Sequence, residues 1–132
     1  WERWENMDGK YMNSHNHPML GAFTVWFYKG LAGFRSEAGF TDCITIKPSI
    51  VEELDYVKAS IDLSTGLLKN EWEKNGDKVV FHLDIPWNTK AYFHIPEYCE
   101  LIEEGSTYTE KTEKKRKILL TSGKYKISCR VK

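Results

Sequence analysis

No apolar run in this sequence approaches the ~18 residues a membrane-spanning helix needs, so no bilayer crossing by a helix is expected. There is no surplus of charge of either sign. Nineteen Lys and Arg are matched by 19 Asp and Glu, and a formal net charge of zero argues against nucleic acid or an anionic membrane surface as partner. Cysteine is scarce. Cys43, Cys99 and Cys129 are odd in number and widely spaced, which suits neither a disulfide framework nor a zinc ligand set. They are expected to be free thiols buried in strands. There is no glycine-rich phosphate loop and no serine nucleophile elbow, and no cofactor is expected. The sequence opens on Trp1 rather than methionine, with no basic-then-apolar leader behind it. It therefore reads as a processed chain or a piece of a longer one, and its compartment is left open.

What is present divides near residue 36. Ahead of it the pattern is helical. Pro18 suits the first position of a helix, with Asn16 or His17 as the cap. Leu20, Phe23, Phe27 and Leu31 follow at steps of three and four and share a face. Met19, Val25 and Trp26 widen the apolar surface, and Gly33 is placed to stop the helix. A helix over about 17–33 is expected, lying on whatever follows it.

Beyond residue 36 the period is two. Phe40, Ile44 and Ile46 predict a strand that ends at Pro48, and Val57, Ala59, Ile61 and Leu63 alternate with polar neighbours. "STG" at 64–66 predicts a turn into "LLKNEWEK", with Leu68 and Trp72 facing inward. "NGD" at 75–77 predicts a tight hairpin, since Asn-Gly accepts positive dihedrals. Val79, Phe81, Leu83 and Ile85 alternate up to Pro86, "KAYFHIP" is another strand, and two more surround Ser122 and Gly123. Tyr125, Ile127, Cys129 and Val131 share one face of the last. The polar stretch 103–117 is expected to be a solvated loop or hairpin tip. About seven short strands with turn chemistry between them predict a mainly β fold, an antiparallel β-sandwich of jelly-roll or Greek-key type preceded by one α-helix.

The opening stretch carries the chemistry. Glu2 and Glu5 stand beside Trp1 and Trp4, and aromatic surroundings can raise a carboxyl pKa toward the range of acid–base work. His15 and His17 precede the helix, two residues apart and with no third ligand at helical spacing, so no metal site is expected. Read as residue types alone, these are surface carboxylates and capping or packing histidines.

Taken together, "WERW" followed by "NSHNHPMLGAFTVWFYKGLAG" resembles the C-terminal end of the catalytic barrel in bacterial α-L-rhamnosidases, glycoside hydrolase family 78. "ITIKP", "IPWNTKAYFHIP" and "SGKYKI" resemble segments of the sandwich that follows that barrel. The resemblance covers essentially the whole chain and is sharpest over residues 1–34. It implies that residues 1–36 close an (α/α)6 barrel and that residues 37–132 form a C-terminal β-sandwich domain. It implies an inverting glycoside hydrolase that removes terminal α-L-rhamnosyl groups, whose acid and base stand about 6.5–9.5 Å apart. Carried over position by position, Glu2 is the general base and His17 contacts the rhamnose. His15 carries no contact, and Glu5 is structural or exposed.

No segment resembles the general acid or the other carboxylates of such a site. The resemblance therefore implies an inactive fragment whose intramolecular partner is the missing barrel and whose substrate, in the intact enzyme, is a rhamnose-containing glycoside. Residues 1–13 are expected to be mobile or held by a neighbour. Homo-association through the exposed apolar helix is a further expectation. The competing reading is a non-catalytic carbohydrate-binding module, with Trp72, Trp87, Tyr92 and Tyr98 as stacking platforms.

Overall fold

The computed structural model describes residues 18–36, 43–102, 107, 110–112 and 116–132. Pro18 begins the helix α1, Pro18–Trp26, as its fixed φ favours. The helix then widens into a π turn, Phe27–Leu31, closed by the Ala32 amide donating to the Phe27 carbonyl at 3.0 Å. Ten strands follow: β1 Phe34–Arg35, β2 Cys43–Ile46, β3 Tyr56–Leu63, β4 Gly66–Asn75, β5 Lys78–Ile85, β6 Lys90–His94, β7 Cys99–Ile102, β8 Glu110–Thr112, β9 Lys117–Leu120 and β10 Gly123–Val131.

They form two five-stranded sheets, in the orders β1-β2-β6-β9-β8 and β3-β4-β5-β10-β7. The mainly β sandwich follows from the alternation. β5 is the clearest case: Val79, Phe81, Leu83 and Ile85 are buried and the residues between them are not. Leu68 and Trp72 of β4 face inward as predicted. On the first sheet Ile44, Ile46, Ala91, Phe93, Ile118 and Leu120 do the same. Phe81 and Phe93 meet across the two layers edge to face, ring centres 5.0 Å apart.

The pairing is antiparallel throughout except for β2 and β6, which run parallel. The meander β3–β4–β5 lies between them in sequence and belongs to the other sheet, so the chain returns to the first sheet in its starting direction. The β4–β5 hairpin is tight, but its two turn residues are Gly76 and Asp77. Asn75 pairs with Lys78, and only Gly76 has positive φ, at 62°. Glycine at the first central position is the II′ pattern, so the asparagine ends the strand instead of making the turn.

Three further differences have physical reasons. Phe34 and Arg35 already pair with β2, and Phe34 is fully buried, so the sheet begins ahead of the division expected at residues 36 and 37. The stretch 103–117 contains β8, which pairs with β9. At its basic end Arg116 donates from its guanidinium to the carbonyls of Glu97 (2.7 Å), Pro96 (2.8 Å) and Cys99, tying down the turn before β7. Finally, the helix does not lie on the sandwich. Residues 21–29 are exposed, Phe23 at 62% and Trp26 at 52%, and burial begins only at Gly30.

The thiols divide. Cys99 and Cys129 are buried as expected, whereas Cys43, at the start of β2, is exposed. Burial pushes the Cys129 thiol up to about 12, with the neighbouring Cys99 adding to the effect, and burial also raises Cys99. Since the thiolate is the reactive form, one thiol per native chain should react promptly with a disulfide reagent at pH 8. Cys43→Ser should remove that fast phase. Prompt reaction of two or three thiols in the folded chain would contradict this burial.

Candidate functional site

The feature that sets this domain apart is the way the helix is held. A helix ends with carbonyls that have no partner within it. Here four successive carbonyls at the helix exit, those of Gly30, Leu31, Ala32 and Gly33, accept hydrogen bonds from the sandwich. The Ser49 amide donates to Gly30 at 2.9 Å and the Lys47 amide to Gly33 at 2.8 Å. Trp72 Nε1 donates to Leu31 at 3.1 Å, and Asn70 Nδ2 donates to Ala32 at 2.7 Å. Asn70 and Trp72 are two residues apart on β4, so both face the core, and both are fully buried. Two donors therefore come from the second sheet and two from the segment that leaves β2 in the first. The helix exit is clamped to both layers.

Gly33 makes that approach possible. Its φ is +76°, and a Cβ there would stand 2.6 Å from the Lys47 carbonyl oxygen and closer still to Lys47 C and Pro48 N. Beyond the clamp the helix projects Phe23, Trp26, Phe27 and Tyr28, each about half exposed. Phe27 meets Phe23 and Trp26 edge to face, with centres 5.9 Å apart in both pairs. Four exposed aromatics on a helix clamped at its exit form an apolar patch of the kind that meets a partner.

The residues expected to do chemistry, Glu2 and His17, lie outside the described residues, as do Glu5 and His15. Among the described residues, no three His, Cys, Asp or Glu side chains stand together in a way that could hold a metal ion.

The stacking platforms can be judged individually. Trp72 is wholly buried and used in the clamp, so it is not a platform. Tyr98 spends its hydroxyl on Ile50, donating to the carbonyl at 2.9 Å and accepting from the amide at 2.7 Å, and so pins the loop after β2. Burial raises its pKa, partly opposed by the bond to Ile50. Tyr92 carries Lys117 Nζ over its ring, 5.7 Å from the centre. Only Trp87, 84% exposed on the β5–β6 turn, remains an open ring.

Fold and clamp together define a class: a β-sandwich domain that captures the end of the helix preceding it. The comparisons agree. A family model described as the bacterial α-L-rhamnosidase C-terminal domain matches residues 30–110, and the chain belongs to that family. An α-L-rhamnosidase of Formosa agariphila is 34% identical over 94% of this chain and 14% of its own length, and one of an Alteromonas species is 28% identical over 86% and 13%. The chain thus spans about one seventh of the curated relatives it matches. Among solved structures, an α-L-rhamnosidase from Dictyoglumus thermophilum superposes with a TM-score of 0.71 at 29% identity, covering 98% of this chain and 16% of that one. The Streptomyces avermitilis α-L-rhamnosidase complexed with L-rhamnose, at 21% identity and a TM-score of 0.68 over 89% of this chain and 12% of that one, shares the fold.

The capping role of Asn70 was missed in the sequence. It sits at an inward position of β4, in register with Leu68 and Trp72. A polar residue in an apolar file was the available signal.

Proposed function

We propose that this chain acts as the C-terminal part of an inverting α-L-rhamnosidase, with the sandwich buttressing an (α/α)6 barrel. Residues 1–36 would supply the closing end of the barrel and residues 37–132 the sandwich, with β1 reaching across the boundary. The observation that carries this reading is the clamp on Gly30–Gly33, which joins a projecting aromatic helix to both sheets. The relatives' names and the small share of their length that the chain spans support it.

In this reading Glu2 acts as general base. Its carboxylate takes a proton from a water whose oxygen attacks the anomeric carbon. The bond from that carbon to the glycosidic oxygen breaks on the opposite face, and an acid outside this chain protonates the leaving oxygen. The sugar is released with inverted configuration. His17 holds the rhamnosyl ring through a hydroxyl. With the base and without the acid, the chain alone is inactive. In its isolated state the exposed aromatics of α1 are the surface through which two copies associate. Light scattering checks this, and a monomer mass at high concentration rules it out.

The decisive experiment compares two forms on an aryl α-L-rhamnoside: the 132-residue chain, and that chain extended at its N-terminus by the (α/α)6 barrel of an α-L-rhamnosidase. The extended form should turn over, and Glu2→Gln should lower its rate by at least about a hundredfold. The short form should not. Turnover by the short form that vanishes in Glu2→Gln would overturn the fragment reading. An inert extended form would overturn the hydrolase reading.

A further inference from the structure

The two outer faces of the sandwich carry their charge differently. On the second sheet, cations and anions stand opposite one another. Lys58 pairs in register with Glu71, and Lys69 with Asp84. Lys124 also reaches Asp84 at 4.0 Å, Arg130 reaches Asp77 at 3.1 Å, and Lys132 reaches Glu100 at 2.7 Å. On the first sheet, β1, β2, β6 and β9 contain no aspartate or glutamate. Their outer side and its margin bring together Arg35, Lys47, Lys90 and Lys117. The field is felt by His94 of β6: burial lowers its pKa most, and Lys117, Lys47 and Arg35 each lower it further.

At one end of this face lies a cleft of about 590 Å³ between the π turn and β1–β2, lined by Lys29, Arg35, Ser36, Thr45 and Lys47. Three of the five are cations and the other two are hydroxyls. Among the described residues the carboxylate within reach is Glu97, which meets Lys47 at 3.7 Å with its side chain 85% exposed. Glu110 stands in β8 opposite Leu119, on the far side of β6 and β9 from the cleft. Among the described residues these cations outnumber the one carboxylate that meets them, and gathering like charges in this way costs stability that an anion would restore.

We propose that this cleft binds an oxyanion borne by a sugar chain: the carboxylate of a uronic acid or the sulfate ester of a sulfated glycan. The anion rests on the cleft alone, and the sugar rests on the hydrolase reading above. Arg35 offers a planar fork that grips two oxygens of one anionic group, while Lys29 and Lys47 supply point charge on either side. The Thr45 hydroxyl can exchange hydrogen bonds with ring hydroxyls. The size suits a small ligand or the end of a chain. A facing protein surface would need a wider area than this. Single-stranded nucleic acid is disfavoured because no aromatic ring among the described residues lines the cleft to stack a base.

The test is calorimetric titration of the 132-residue chain at low salt. The probes are an oligogalacturonate, a sulfated oligosaccharide, a neutral maltooligosaccharide, sodium sulfate and a single-stranded DNA oligomer. One of the acidic glycans should bind saturably, one per chain, at least about tenfold more tightly than the neutral one, and more weakly as salt rises. The tighter of the two acidic glycans identifies the group. R35Q/K47Q should weaken it at least tenfold, whereas K124Q/K126Q on the other sheet should leave it unchanged. All four side chains are exposed, and thermal melts verify folding. If R35Q/K47Q does not fold, K29Q carries the test.

Equal binding of the neutral glycan, or no response to the cleft substitutions, overturns the proposal. So does sulfate alone binding as tightly, which marks an adventitious ion only, or DNA binding as tightly, which marks a generic polyanion surface. Rhamnoside turnover by the extended chain is measured separately. Turnover without glycan binding rejects the cleft alone, and glycan binding without turnover rejects the hydrolase reading alone.

Discussion

Trp72→Ala should cost this domain about 3–5 kcal/mol, the range for deleting a large aromatic from a packed core. Trp72 is fully buried on β4, among the largest side chains of the core. Its indole also holds the Leu31 carbonyl at 3.1 Å, so the alanine variant opens a cavity and strips a buried acceptor. Against the 5–15 kcal/mol of an ordinary domain, such a loss brings the fold close to its unfolding midpoint. Trp72→Phe separates the two terms. It keeps much of the ring volume and deletes the N–H, for which about 1–3 kcal/mol is expected. Urea unfolding followed by circular dichroism measures both, through a lower midpoint at unchanged slope. Amide exchange should locate the phenylalanine effect at residues 27–33, with the sheets still protected. A loss below about 1 kcal/mol for the alanine variant would show that the domain does not depend on this side chain.

Gly33→Ala should be nearly as damaging, at about 2–5 kcal/mol, although it adds a single methyl group. At φ +76° any L side chain is strained. The added carbon also meets backbone, not a side chain that could swing away: the carbonyl carbon and oxygen of Lys47 and the nitrogen of Pro48. Relief requires the exit of β2 to move, which breaks the bonds from Lys47 to Gly33 and from Ser49 to Gly30. Gly21→Ala is the control. It lies in the exposed helix with nothing within 4 Å of the added Cβ, and helix propensity predicts a gain of about 0.5–1 kcal/mol. Equal melting temperatures for the two variants would show that the close approach at Gly33 is not a constraint.

The two sites act on one device, so their combined substitution should cost less than the separate losses predict. Once Gly33→Ala has pushed the exit away, Trp72 has less to hold.

Much of the sandwich was legible because its information is local. The file Val79, Phe81, Leu83, Ile85 shows its buried face by alternation alone, and Gly76 marks the hairpin by the dihedral it permits. Strands of two or three residues were not legible. Phe34–Arg35 and Glu110–Thr112 are too short to display a period, and they exist because a neighbour offers free backbone groups. Cys43 and Phe23 were misplaced for one reason. Each is apolar enough to be buried, and whether a particular face is covered depends on what stands opposite it. Glu2 and His17 were assigned by likeness of motif, and their roles remain the proposal that the turnover experiment tests.

Local chemistry in the chain therefore settled the strand faces, the turns, the start of the helix at Pro18 and the family to which the motifs point. It did not settle which sheet each strand would join, that β2 and β6 would run parallel, or that Asn70 and Trp72 would reach back some forty residues to the helix exit. Nor could it collect Lys29, Arg35 and Lys47 around one cleft. Those outcomes turn on hydrogen-bond partners and neighbours distant in sequence. Such partners are chosen when two sheets close on a shared core and every buried donor and acceptor must be met at once.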